Sequence, residues 1–237
     1  MTAPERLVIA EALRLAETAA DWIAAVMEAD IHERGRCAVG LAGGGTPRPV
    51  YERLAREPYA QRVRWRDVEV FFGDERAVAA ADPASNYGMA KAALLSRVPI
   101  PAERVHRMEA EAGDPDAAAR SYERLLPDSL DLLLLGMGQD GHTASLFPGS
   151  PALGEQRRRV VPVVGTKPPP RRLTITPPVI AAARRIAVLV VGADKASAVA
   201  RALQGPLRPA ELPVQLALRG AWFLDRAAAA ELRSVAA

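Results

Sequence analysis

The chain has 237 residues, a formal net charge of +3 and a single cysteine, Cys37. That length suits one domain covering residues 1–237. One cysteine excludes an internal disulfide and, with an acidic amphipathic start unlike a secretory apolar region, gives the expectation of a cytoplasmic protein. The small charge, the lack of aromatics interleaved with basic residues and the lack of any apolar run of membrane-spanning length argue against nucleic-acid and membrane partners. No Cys/His cluster has zinc spacing, so no metal is expected.

Residues 7–30 read as an amphipathic helix, with Leu13, Ala16, Ala20, Ile23 and Met27 at helical spacing. Cys37–Leu41 is a short strand, followed by Ala42-Gly43-Gly44-Gly45-Thr46-Pro47 and a helix from Pro49 to about Ala55. Three glycines in a row expose backbone N–H groups at a strand's end, an arrangement that suits a phosphate. No Gly-Lys-Ser/Thr follows, so this is not a Walker A loop. Val68–Phe72 is the next strand and ends in Gly73-Asp74-Glu75-Arg76; Glu75 reads as a helix cap or a solvated ion pair. Ser85 or Asn86 is placed to cap a helix from Tyr87 to Arg97. Val105–Met108, with His106, is a short strand candidate of structural character. An Ala-rich helix follows over 114–126, with Asp114 as N-cap and Pro115 in its first turn.

The stretch 131–149, DLLLLGMGQDGHTASLFPG, organises the chain. Four leucines, Leu132 to Leu135, read as a strand buried on both faces of a parallel sheet. The loop beyond them brings glycines, Asp140 and His142 to a strand's carboxyl end, where open α/β sheets bind ligands. Gly136 to Gly141 also matches the dinucleotide pattern GxGxxG. That reading is set aside because Pro148 and Gly149 leave no room for a long helix, and the strand Val160–Val164 ends in Gly165 and Thr166, without the acid a ribose needs. Ser145 is read as a local hydrogen-bonding residue.

Pro168-Pro169-Pro170 is a stiff extended segment before Arg171 and Arg172. Leu173–Thr176 alternates as a strand, Pro177 and Pro178 start a helix, and Ile186–Val191 is a buried strand ending in Gly192-Ala193-Asp194-Lys195. Asp194 is expected to cap the next helix, to Leu203, and Lys195 opposes that helix's dipole, as suits a bound anion. Trp222–Leu224 is strand-like, and a last helix is expected after it. Strands alternating with helices predict an α/β class with a mostly parallel, Rossmann-like sheet flanked by helices.

At these loops the chain resembles the 6-phosphogluconolactonase family over nearly its whole length. The resemblance rests on AGGGTP, FFGDERAV with the following SNY, LLLLGMGQDGHTASLFPG, RRLTIT and VGADKA. It implies the fold shared with ribose-phosphate isomerases, CoA transferases and amino-sugar-phosphate deaminase/isomerases. It also implies a small sugar-phosphate lactone as partner and hydrolysis without a cofactor; a monomer is the state expected here. By the same resemblance His142 would be the general base, with Asp74 orienting or charge-stabilising it and Arg76 on the anionic or oxyanion side. Gly43, Gly44, Gly45, Thr46, Arg76, Gly138, Gly141, Arg172 and Lys195 would bind substrate or its phosphate. Gly45 stands where such loops commonly carry Ser. A deaminase/isomerase on the same fold ranks second, because the acid its members carry after the histidine is replaced here by Ala144-Ser145-Leu146-Phe147-Pro148. A non-catalytic sugar-phosphate sensor ranks behind it, since no helix-turn-helix segment stands out.

Overall fold

The computed structural model describes residues 4–233, the Leu13 side chain excepted. Its first element corrects the expectation of a helix from residue 7. Arg6–Ala10 forms strand β1, and helix α1 runs from Ala12 to Arg34. The apolar, partly β-branched run Leu7-Val8-Ile9 fits a pleated edge, and pairing with the last strand decides the matter. Gly35 ends α1 in a left-handed turn at φ +74°, its N–H bonded to the Ile31 carbonyl at 2.9 Å.

The chain continues as β2 (Cys37–Leu41), α2 (Arg48–Leu54), α3 (Tyr59–Arg62), β3 (Val68–Phe72) and β4 (Asp74–Arg76). Then follow α4 (Asn86–Ala90), α5 (Pro115–Leu125), β5 (Leu132–Gly136), β6 (Val160–Val164) and β7 (Arg171–Ile175). The last elements are α6 (Pro177–Ala182), β8 (Arg185–Val190), α7 (Ala196–Gln204) and β9 (Ala221–Asp225). Asp114 caps α5 through the Ala117 N–H at 3.0 Å, and Ser85 caps α4 through Gly88 at 2.9 Å. Three further expectations are revised. The helix expected to Arg97 gives way to a π-helical turn at Lys91–Leu95. Val105–Met108 supplies only a single bridge, Val105 to Val70. Residues 226–231 form turns where a last helix was expected, and 234–237 lie outside the described residues.

Six strands form one parallel sheet in the order β1-β9-β8-β5-β2-β3. The four leucines show why both faces are covered. Leu132 and Leu134 point into the core beneath α1 and α2, while Leu133 and Leu135 point into the core beneath α5, α6 and α7. All four are at most 1% exposed. From β2 the chain winds outward to β3, then returns to β5 on the other side of β2 and winds away to β8 and β9. The crevice at the carboxyl ends of β2 and β5 is therefore the topological switch point of the sheet.

A second, antiparallel sheet of three strands, β4-β7-β6, stands at that end of the molecule. Only Gly73 separates β4 from β3. Its register sets Asp74 opposite Thr174 and Arg76 opposite Arg172.

Candidate active site

Four loops and the small sheet enclose a cavity of about 210 Å³ at the switch point. Its wall includes Gly43, Gly44, Gly45, Thr46, Asp74, Arg76, Gly138, His142, Arg172 and Lys195. Gly141 is the one expected site residue that the wall leaves out. It holds a turn at φ +81°, with its N–H on the Gly138 carbonyl at 3.0 Å and its carbonyl accepting from Val214 at 2.9 Å. A Cβ there would lie 2.2 Å from Leu212, so its task is to shape the loop.

The glycine loop is anchored at its root by Tyr51 of α2. The Tyr51 hydroxyl donates to the Ala42 carbonyl at 2.8 Å and accepts from the Ala42 N–H at 2.9 Å. Gly44 takes φ +91°, which a side chain would disfavour. Gly45 faces open space, with no heavy atom within 4 Å of a built Cβ. Because α2 has only seven residues, its dipole adds little, and an anion held here would rest on the loop N–H groups and the facing cations.

Those cations are placed against electrostatic preference. Arg76 and Arg172 are directly opposite across β4 and β7, a like-charge pair that destabilises a sheet unless something between them compensates. Arg172 is 7% exposed. It donates to the carbonyls of Pro169 at 3.0 Å and Lys167 at 3.1 Å, and its guanidinium lies 5.6 Å over the Phe147 ring. Burial pushes this guanidinium below its ordinary pKa; the Asp74 charge opposes that and the Arg76 charge adds to it. An arginine still stays charged under such a shift. Arg76 donates to the Ala84 carbonyl at 2.6 Å. Lys195 donates to the Val191 carbonyl at 2.9 Å. Asp194 bonds Gln139 across the loops at 2.6 Å and makes no helix cap, in contrast to expectation.

The partner of His142 is also not the expected one. Nδ1 lies 2.6 Å from Asp140 Oδ1, in the same turn, and the His142 backbone N–H donates to the same oxygen at 3.2 Å. Asp74 does not serve that role. Its Oδ2 accepts from Ser145 at 2.6 Å and its Oδ1 from Asn86 at 3.0 Å. Ser145, expected to bond locally, instead reaches 71 residues back and also accepts from Arg172 at 3.4 Å. Glu75 acts as the cap it was read to be. It accepts from the N–H groups of Arg76, Asn86 and Tyr87, each at 2.8 Å, and from Ser85 at 3.1 Å. Burial nevertheless holds its carboxyl above the ordinary range.

Burial would raise the Asp140 carboxyl, but the charge and hydrogen bonds of His142 outweigh it and hold it below its ordinary value. An ionised Asp140 accepts the hydrogen bond from the Nδ1–H and leaves Nε2 as the ring's proton acceptor. Gly138 makes room for this ring, since a Cβ there would meet Nδ1 and Cε1 at 2.2 Å. Ala144 sits on the cavity wall at φ +48°, the left-handed region that costs an alanine strain. The residues to which sequence reasoning gave no part in the site are thus Asp140, Asn86 and Ser145. Only Asp140 carried a local signal, an acid two positions before a histidine inside a glycine-bracketed turn.

A switch-point crevice lined by a glycine loop, two opposed arginines and a carboxylate-oriented imidazole has the arrangement of an α/β enzyme's active site. Comparison with known proteins gives the particular family. Residues 10–224 match the model described as glucosamine-6-phosphate isomerases/6-phosphogluconolactonase. A 6-phosphogluconolactonase from a Synechocystis species is 38% identical over 216 residues, covering 86% of this chain and 88% of its own. The structure of 6-phosphogluconolactonase from Trypanosoma brucei superposes with a TM-score of 0.86 at 30% identity, covering 98% of this chain and 100% of that one. A monomeric glucosamine-6-phosphate deaminase is also similar, at a TM-score of 0.83 and 25% identity over 96% of this chain and all of its own. The chain belongs to the glucosamine-6-phosphate isomerase/6-phosphogluconolactonase family.

Proposed function

We propose that this protein hydrolyses 6-phospho-D-glucono-1,5-lactone to 6-phospho-D-gluconate, the second step of the oxidative pentose phosphate pathway. The observation that carries this reading is His142, oriented through Nδ1 by Asp140 on the wall of a cavity that the glycine loop, Arg76, Arg172 and Lys195 also line. The 6-phosphogluconolactonases among its relatives support the substrate class.

In the proposed reaction, Nε2 of His142 takes a proton from water as the water oxygen bonds to C1 of the lactone. The carbonyl electrons move onto oxygen, and Arg76 faces that developing charge. Collapse expels the ring oxygen, which takes the proton back from Nε2, and the ring opens to the acid. Gly43, Gly44, Gly45, Thr46, Arg172 and Lys195 hold the phosphate. No cofactor has a part in this scheme. The chain is taken to act as one domain over 1–237 and as a monomer in the cytoplasm, without nucleic-acid or membrane partners. Among the described residues no helix is long and apolar enough to cross a membrane.

A deaminase or isomerase needs a base for the proton at C2. Asp74, the nearest carboxylate in sequence to Arg76 on the cavity wall, has both oxygens occupied by Asn86 and Ser145. A coupled assay with freshly generated 6-phosphogluconolactone, corrected for spontaneous hydrolysis, tests the proposal. Enzyme-dependent 6-phosphogluconate formation is expected, with no ammonia from glucosamine 6-phosphate; ammonia release without lactone hydrolysis would reverse the order.

A further inference from the structure

Asn86 is 1% exposed and stands behind the glycine loop, between it and the start of β4. Its Nδ2 donates twice to Asp74, to the main-chain carbonyl at 2.8 Å and to Oδ1 at 3.0 Å. Its backbone N–H donates to Glu75 at 2.8 Å. The residue is therefore fixed to the β3–β4 junction from two sides. Its Oδ1, by contrast, is buried with no hydrogen-bond partner among the described residues.

That oxygen is not idle space-filling within a core. A Cβ built on Gly43 would lie 1.8 Å from Asn86 Oδ1, 2.0 Å from Cγ and 2.4 Å from Nδ2. The Asn86 amide thus occupies the volume that a side chain at position 43 would take. The next two glycines meet nothing within 4 Å. Of the three glycines, Gly43 alone is packed against the Asn86 amide, and it directly precedes Gly44, Gly45 and Thr46. A buried polar atom without a partner is unfavourable, and a residue present only for stability would do better as a satisfied or apolar one.

We infer that Asn86 is a positioning residue for the phosphate grip. Its amide props Gly43 at a fixed distance from Asp74 and so sets where the loop presents its N–H groups. The inference rests on the lactonase reading. It explains why position 43 requires glycine although its φ is not left-handed, and it assigns the polar side chain after Ser85 a task beyond helix capping.

The test is steady-state kinetics of Asn86→Ala, Gly43→Ala and the double variant on 6-phosphogluconolactone and on glucono-1,5-lactone. Asn86→Ala is expected to raise KM for the phosphorylated lactone about tenfold, with kcat within about threefold and little change on glucono-1,5-lactone. Gly43→Ala alone is expected to lose more than about tenfold in kcat/KM, and the double variant to recover most of it, because the methyl enters the volume the amide vacates. Equal losses on both lactones, or a Gly43→Ala defect of the same size with and without Asn86, would overturn the inference. If Asn86→Ala does not fold, Asn86→Ser gives the same KM-against-kcat comparison. Wild-type turnover tests the lactonase reading separately. Should it fail, the Kd for inorganic phosphate decides the role of Asn86: about tenfold weaker binding in Asn86→Ala supports it, and equal binding overturns it.

Discussion

Asp140 holds His142 from two positions away: one carboxylate oxygen accepts both the imidazole Nδ1–H at 2.6 Å and the His142 backbone N–H at 3.2 Å. A single oxygen thereby fixes the ring's tautomer and the turn that carries it. Asp140→Asn keeps the shape and removes the charge, and its amide can present a donor to Nδ1, which favours the wrong tautomer. We expect kcat to fall by about 10- to 100-fold, with a smaller change in KM, the usual effect of losing a histidine's orienting partner. Unchanged kcat would show that the pair has no catalytic consequence.

The proposed function has Arg172 and Lys195 hold the phosphate. A hydrogen bond to a charged group is worth about 1.5–3 kcal/mol, or roughly one to two powers of ten in kcat/KM. Arg172→Ala and Lys195→Ala should each lose that much on 6-phosphogluconolactone. On glucono-1,5-lactone, which lacks the phosphate, the wild type should be poor and the variants no worse. Deleting the phosphate acts as the second mutation of a double-mutant cycle. Equal losses on both substrates would move these residues to the lactone ring or to the fold.

Two glycines on different loops near the crevice should respond differently to substitution. At Gly45 a Cβ meets nothing within 4 Å, so Gly45→Ser should fold with a change in stability of no more than about 0.5 kcal/mol. At Gly141 the φ of +81° and the 2.2 Å approach to Leu212 combine backbone strain with overpacking. Together these cost about 2–5 kcal/mol, so Gly141→Ala should lower Tm by roughly 5–15 °C. Thermal melts of the two variants check this; similar melting points would refute it.

Glu123 ties α5 to the start of β6. It accepts from the N–H groups of Arg159 at 2.6 Å and Val160 at 3.0 Å and from Arg158 Nε at 3.0 Å. Burial raises its carboxyl, but Arg158 and the two N–H groups outweigh this and hold it below its ordinary value. For an acid whose folded pKa is depressed, the stabilisation is complete above the unfolded pKa of about 4.3 and is lost as pH falls through the folded value. The Tm gap between wild type and Glu123→Gln should thus be wide at pH 7 and narrow below about pH 4. A gap independent of pH would mean that the ionised form is not what α5 and β6 share.

The parts of this protein legible in its sequence are those where local pattern and tertiary need agree. Leu132–Leu135 reads as a strand covered on both faces because both cores claim alternate leucines. Loops rich in glycine at strand ends marked the crevice because that composition serves little else. β1 was illegible, since Leu7-Val8-Ile9 also continues a helical pattern and only its pairing with β9 decides. The partners of Asp74 were equally hidden. Ser145 and Asn86 come to it from 71 and 12 residues away, and no spacing announces either contact. The Arg76–Arg172 opposition likewise depends on a register between β4 and β7 that pattern alone does not set.

The most direct measurement is turnover of 6-phosphogluconolactone by His142→Ala, beside the wild type and corrected for spontaneous hydrolysis, with folding verified by thermal melt. Loss of a general base costs about 10²- to 10⁴-fold, so kcat should drop by that factor while KM changes little. A folded His142→Ala protein turning over at the wild-type rate would place the base elsewhere, with Asp74 the next carboxylate to test.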